Sequence, residues 1–117
     1  MKEIKAYIRT SYLEQVVKAL QEKGAPGITV VTVHPVGYGF ESRFTLSEVE
    51  MSQRYYDITK IELACDDEDL DAFVDAITDC AHTGSSGDGL IFVSDVEEAI
   101  KIRTRKRGTK LSELSDG

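Results

Sequence analysis

Two segments of this chain each show a strand pattern followed directly by a helix pattern, and this repetition constrains the fold more than any other feature. Residues 2–9 alternate between apolar and polar positions, and apolar residues then recur at helical spacing. Residues 59–65 alternate in the same way, and a second helical pattern follows over residues 70–81. Ser11 and Glu14 have the spacing of a capping box, which predicts the start of the first helix.

Two further apolar runs complete the order strand, helix, strand, strand, helix, strand. Residues 28–33 are rich in β-branched side chains, and residues 90–93 follow a glycine-rich turn. This order predicts an α+β domain of the ferredoxin-like βαββαβ type, with both helices on one face of an antiparallel sheet. The uncovered face would carry apolar side chains, so we expect a homo-oligomer formed through it. These side chains are Tyr7, Val31, Tyr56 and Ile58.

The net charge of −7 is distributed unevenly along the chain. From Asp57 to Glu98 there are thirteen acidic residues and one basic residue, whereas from Lys101 to Lys110 there are six basic residues and no acidic one. An acidic chain is repelled by nucleic acid, so no nucleic-acid partner is expected. The local basic segment instead favours a small anionic ligand or a docking contact. The acidic run 66–69 suits the positive end of the second helix.

The connection over residues 37–54 is longer than most connections in compact domains. It is also too apolar for a simple linker. Two interpretations stay open: a hairpin extension that packs on its own domain, and a loop that becomes ordered on a partner. In the second, the candidate partner-binding residues are Phe40, Phe44, Leu46 and Met51.

A glycine-rich segment, Thr83–Gly89, is the candidate phosphate-binding loop. Three glycines in seven residues allow positive φ angles, which let successive N–H groups point at an anion. No Gly-Lys-Ser/Thr follows, so the segment is not a Walker loop. Lys101 and Arg103 alternate with Ile102, a spacing that would place both cations on one side of an extended chain beside a phosphate. We interpret residues 105–107 as a solvated tail.

No arrangement of catalytic residues is evident, so we predict that the chain is not an enzyme. Ser85 and Ser86 have no histidine in a recognisable triad relation. RNA recognition would need more aromatic residues than Phe92 on the middle strands. His34 and His82 have no metal-ligand spacing, so no metal site is predicted. A trimeric metal-tolerance or structural protein using these histidines or the acidic patch stays open as an alternative.

The cysteines and the hydropathy pattern favour a cytoplasmic location. Cys65 and Cys80 form neither a Cys-x-x-Cys pair nor a disulfide framework, and both are expected to be buried. The chain has neither an apolar stretch of about 20 residues nor the apolar centre of a signal peptide.

Four stretches of the sequence resemble the P-II signal-transduction (nitrogen regulatory protein P-II) family. They are GAPGITV at 24–30, KIE at 60–62, TGSSGDG at 83–89 and IFVSDVEEAIKIRT at 91–104. The resemblance covers most of residues 1–108, which it marks as one ferredoxin-fold domain followed by a C-terminal tail, 109–117. It identifies residues 37–54 with the family's T-loop. It implies a homotrimer that binds adenine nucleotides between subunits and regulates a membrane transporter or a metabolic enzyme through that loop.

The resemblance also implies which residues would form the nucleotide site. Those near the adenine would be Thr29 and the backbone of Glu62 and Ala64. Gly37 would lie at the base of the T-loop. The phosphates would meet Gly87, Asp88 and Gly89, with charge supplied by Lys101 and Arg103.

Six positions depart from the family pattern. Arginine is usual where this chain has Tyr38 and Lys101, glutamine where it has Gly39, and lysine where it has Ile58 and Leu90; some members carry a tyrosine that is uridylylated where it has Met51. We therefore expect no uridylylation and neither the usual magnesium nor the usual 2-oxoglutarate site. ADP or AMP should compete well with ATP. In this the chain is similar to P-II-like proteins of inorganic-carbon uptake, for which bicarbonate is a co-ligand. An ordinary nitrogen regulator that senses ATP, ADP and 2-oxoglutarate is the alternative.

Overall fold

The computed structural model of this chain describes residues 1–35 and 58–115. Within them, four strands form one antiparallel sheet in the order β2-β3-β1-β4, and two helices cover one of its faces. The strands are β1 (Lys2–Arg9), β2 (Thr29–Val33), β3 (Ile58–Cys65) and β4 (Leu90–Asp95), and the helices are α1 (Leu13–Glu22) and α2 (Leu70–Ala81). The predicted ferredoxin-like α+β arrangement is confirmed. The predicted T-loop, 37–54, lies outside the described residues, together with its four candidate contact residues.

The hydrophobic core lies between the helices and the two central strands. Alternate side chains of β1 and β3 point toward the helices and are buried, as the period-two pattern predicts. Those side chains are Ile4, Ala6 and Ile8 of β1 and Ile61, Leu63 and Cys65 of β3. The helices contribute Val16, Leu20, Phe73 and Ile77 to the same cluster.

The face of the sheet away from the helices carries the apolar side chains that the sequence places there. Tyr7 and Val31 both lie opposite Lys60 in the strand register, and Ile58 lies two residues away on the same face. The ring of Tyr7 meets that of Phe92 edge to face, with 6.1 Å between centroids. Tyr56 lies outside the described residues.

The capping box predicted at the start of the first helix is wrong. A 3₁₀ turn over Thr10–Tyr12 precedes α1, and Tyr12 at the N-cap makes no side-chain cap hydrogen bond. The hydroxyl of Thr10 is instead hydrogen-bonded to that of Thr59, 2.6 Å away on β3. Ser11 lies inside this turn, one residue before the N-cap position that Tyr12 occupies.

The extended conformation predicted for Lys101–Arg103 is also wrong. Two short strands, β5 (Ala99–Ile100) and β6 (Arg107–Gly108), form a hairpin whose turn contains these residues. The N–H of Lys101 donates to the carbonyl of Lys106 (2.8 Å), and the N–H of Arg105 donates to the carbonyl of Lys101 (2.7 Å). Residues 105–107 therefore belong to a hairpin rather than a free tail, and Arg107 pairs with Glu98.

The two cysteines differ in burial. Cys65 is fully buried, as predicted, and this burial raises the pKa of its thiol. Cys80 is only partly buried, so its predicted burial is wrong. Its Sγ lies 3.8 Å from the carbonyl of Gln15 on α1, and the side chain packs against the hydrophobic core.

Candidate functional site

The carboxylate of Asp88, near the end of the loop between α2 and β4, is hydrogen-bonded to the residues that begin this loop. This group accepts hydrogen bonds from the hydroxyl of Thr83 (2.5 Å) and from the N–H groups of Thr83 (2.8 Å) and Gly84 (2.9 Å). These donors, with the Thr83 hydroxyl foremost, hold the pKa of Asp88 far below its usual range. Asp88 is therefore ionised at neutral pH, and its carboxylate serves to shape the loop.

The glycines of this loop have the positive φ angles that the sequence predicts. The angles are +87° at Gly84, +96° at Gly87 and +110° at Gly89. Side chains with a Cβ rarely adopt such angles, so the glycines permit a path that other residues would resist. Peptide groups turned in this way can converge on an anion.

Arg9, at the end of β1, is a residue of this site that the sequence analysis missed. Its Nη1 donates to Asp88 (2.5 Å) and to the hydroxyl of Thr83 (3.2 Å), and its Nη2 donates to the carbonyl of Ser86 (2.9 Å). A Cβ added at Gly87 would lie 3.1 Å from this Nη2. The sequence carried one signal for this role. In a ferredoxin-like sheet β1 pairs with the strand that follows the loop, so the arginine at the end of β1 lies beside the loop.

The predicted adenine-contacting residues share one face of the sheet. Thr29 lies directly opposite Glu62 in the β2–β3 register, and strand alternation places Ala64 on the same face. The carboxylate of Glu62 pairs with Lys60 at 2.8 Å, which lowers the pKa of Glu62 and raises that of Lys60. Gly37 lies outside the described residues.

Lys101 and Arg103 lie far from the glycine loop within one copy of the chain. β4 begins at the loop and runs through six residues, about 17 Å, before the hairpin that carries the two cations. The Nζ of Lys101 donates to the carbonyl of Leu114 (3.3 Å). The segment after the hairpin is held at the end of β3, where the N–H of Leu111 donates to Asp66 (2.6 Å). One chain therefore places the loop and the two cations at opposite ends of β4.

Residues 1–35 and 58–115 contain neither a cluster suited to a metal ion nor a helix suited to a membrane. No group of three or more His, Cys, Asp or Glu side chains in these ranges is placed to hold a metal ion. No helix in them is long and apolar enough to cross a membrane.

Comparison with known proteins gives a consistent match along the chain. The sequence model of the family described as nitrogen regulatory protein P-II matches residues 1–106. The chain is 43% identical over 112 residues to nitrogen regulatory protein P-II 2 of Methanothermobacter thermautotrophicus, covering 94% of this chain and 96% of that protein. It is 41% identical over 110 residues to nitrogen regulatory protein P-II of Rhizobium meliloti, covering 92% and 96%. It is 40% identical over 111 residues to the nitrogen fixation nifHD region glnB-like protein 1 of Methanococcus maripaludis, covering 92% and 99%.

Proposed function

Because this chain belongs to the nitrogen regulatory protein P-II family of signal-transduction regulators, we propose that it forms a homotrimer that senses adenine nucleotides. ATP, ADP or AMP would bind in clefts between the subunits. The protein would then regulate a membrane transporter or a metabolic enzyme through residues 37–54. The observation that carries the proposal is the loop at Thr83–Gly89, whose three glycines have positive φ angles, a backbone conformation found in anion-binding loops.

The positions of the candidate phosphate residues support a site between subunits. Phosphates need cations, but the Arg9 guanidinium beside the loop is paired with Asp88. Lys101 and Arg103 lie beyond the far end of β4, so they would reach the loop of a neighbouring copy rather than their own. The face of the sheet that carries the Tyr7–Phe92 contact supplies an apolar surface that trimer formation would cover.

The departures from the family pattern favour nucleotides with fewer phosphates. Ile58, an apolar side chain only 2% exposed, stands where the resemblance implies the lysine that pairs with 2-oxoglutarate, so it bears on that effector and not on the phosphates. Leu90 follows directly after the loop and supplies no charge there. Each absent cation weakens binding most for the ligand with most negative charge, so AMP and ADP should compete well with ATP. Bicarbonate is the candidate co-ligand, and the signal would report inorganic-carbon status.

The second candidate function is nitrogen regulation through ATP, ADP and 2-oxoglutarate. It is favoured by the names of the relatives, which refer to nitrogen regulation or nitrogen fixation. In this case other groups would replace the charge absent at Ile58 and Leu90. Tighter ATP binding in the presence of magnesium and 2-oxoglutarate would decide for it.

Isothermal titration calorimetry with ATP, ADP, AMP and cyclic AMP tests the proposal. Each nucleotide is titrated alone, with bicarbonate, and with magnesium and 2-oxoglutarate. We expect AMP and ADP to bind within about tenfold of ATP. Arg103→Gln should weaken ATP binding more than Lys110→Gln, which removes one positive charge from the same segment outside the candidate site. Absence of heat with every adenine nucleotide would overturn the assignment.

Removal of residues 40–52 tests the proposed role of the T-loop. The shortened chain should keep the trimer mass by light scattering and keep nucleotide binding, while losing capture of its transporter or enzyme partner. A monomeric or unfolded product would show that the segment is structural.

Cell fractionation with and without the partner tests the proposed location. The protein should be cytoplasmic alone and should become peripheral to the membrane when its partner is present. Metal-dependent thermal stabilisation without any nucleotide effect would favour the metal-tolerance alternative.

A further inference from the structure

The guanidinium of Arg9, on β1, is hydrogen-bonded to residues near both ends of the glycine loop. Its two Nη atoms reach three loop residues, because Nη1 bonds both Thr83 and Asp88 while Nη2 bonds the carbonyl of Ser86. The side chains of Arg9 and Asp88 are each about one-fifth exposed. A planar fork can make these bonds together, whereas the single ammonium of lysine cannot reproduce their geometry.

Asp88 creates an electrostatic difficulty for a loop that is to hold phosphates. Its carboxylate closes the loop and is ionised, so it adds a negative charge where the anion would approach. Arg9 supplies the opposite charge at 2.5 Å from the same carboxylate. The pair leaves the loop with no net charge, so the backbone dipoles can attract an anion.

Gly87 shows that the loop and Arg9 fit closely together. A Cβ at this position would lie 3.1 Å from Nη2 and 3.9 Å from Cζ of Arg9, in addition to the strain of φ +96°. A side chain at 87 would therefore push against the same guanidinium that holds Ser86 and Asp88.

We infer that Arg9 is a positioning residue for the phosphate-binding loop, which it holds in shape while neutralising Asp88. This inference rests on the proposed nucleotide-binding function. Arg9 acts through the loop and through Asp88, and not by contact with the nucleotide. Its effect should therefore depend on the phosphates of the ligand and be sensitive to the charge at Asp88.

Calorimetry on the full-length chain separates this role from general stabilisation. Arg9→Gln should weaken ADP binding by about 10- to 100-fold, the range for loss of charge-assisted hydrogen bonds, while adenosine binding changes by less than about threefold. Arg9→Lys should fall between Arg9→Gln and the wild type. Lys2→Gln removes one cation from the other end of β1 and should bind ADP normally. An equal loss for adenosine and ADP would overturn the inference.

The double variant Arg9→Gln/Asp88→Asn tests the neutralisation directly. Removing both charges restores the neutral loop, so this variant should bind ADP at least about fivefold more tightly than Arg9→Gln alone. A purely structural role for Arg9 would give no such rescue. A double variant that binds no better than Arg9→Gln would overturn the neutralisation.

Amide hydrogen exchange without nucleotide distinguishes failure of this inference from failure of the proposed function. If the wild type binds no adenine nucleotide, the proposed function fails. The exchange rates of the loop N–H groups still test whether Arg9 holds the loop in shape. The N–H groups of Thr83 and Gly84, which donate to Asp88, should exchange at least about threefold faster in Arg9→Gln than in Lys2→Gln. Unchanged exchange would overturn the positioning role.

Discussion

Replacement of Asp66 by alanine should release the C-terminal segment from the body of the domain. Asp66 is only 8% exposed and directly follows β3. Its Oδ1 accepts the N–H of Leu111 at 2.6 Å, and its Oδ2 accepts the N–H of Ser112 at 3.4 Å. The carboxylate thereby ties residues 111–112 to the end of the sheet, beside the hairpin that carries Lys101.

The size of the effect follows from these two hydrogen bonds. The bond to Leu111 is short and charge-assisted, whereas that to Ser112 is long enough to contribute little. Asp66→Ala removes the first and leaves its backbone donor without this acceptor, a loss of about 2 kcal/mol. For a chain of 117 residues the unfolding entropy converts 1 kcal/mol into about 4 °C, so Tm should fall by about 8 °C.

Thermal unfolding followed by circular dichroism measures this change at one protein concentration, because the proposed assembly would make Tm depend on concentration. Glu68→Ala removes an exposed acidic residue from the adjacent turn and should change stability by less than about 0.5 kcal/mol. In a chain ending at Lys110, which lacks both donors, Asp66→Ala should have little further effect. An equal loss in the full-length and shortened chains would refute the assignment of the stabilisation to this contact.

Three further predictions concern the glycine loop and the cysteines. Gly87→Ala should destabilise the protein by about 1–2 kcal/mol in chemical denaturation, because φ is +96° and the new Cβ would meet Arg9. Asp88 has a folded-state pKa below its ordinary 3.8, so its stabilisation is present above that value and lost as pH falls through the folded-state pKa. In Asp88→Asn, the free energy of unfolding should therefore fall less than in the wild type as the pH is lowered from about 4 to 2. In native protein at pH 8, iodoacetamide should modify Cys80 faster than Cys65, whose thiol is buried with a raised pKa; equal rates by mass spectrometry would contradict this.

The elements that sequence periodicity predicted are those whose pattern reflects burial. β1 and β3 alternate because one side of each strand faces the helices, and Phe73 and Ile77 recur on α2 because that stripe faces the sheet. The glycine loop was also predictable from the sequence, because its positive φ angles favour glycine. Local chemistry alone was sufficient for these features.

The features that were mispredicted or missed depend on contacts between distant parts of the chain. The hydroxyls of Thr10 and Thr59 are hydrogen-bonded between the end of β1 and β3, within the turn where the sequence predicted a helix cap. The turn after Lys101 closes with a positive φ at Arg105, a non-glycine residue with no local signal for it. Arg9 reaches the glycine loop only because β1 pairs with β4, so its role depends on the topology.

The placement of the glycine loop and of Arg103 at opposite ends of β4 has a genetic consequence. In the proposed assembly, a chain with a damaged loop still offers intact cations to its neighbour, and a chain lacking Arg103 still offers an intact loop. Random trimers of Gly87→Ala and Arg103→Gln chains would thus regain complete sites at about one cleft in four, although each variant alone has none. Two different inactive alleles in one cell could then complement each other, whereas two alleles damaged in the same half could not.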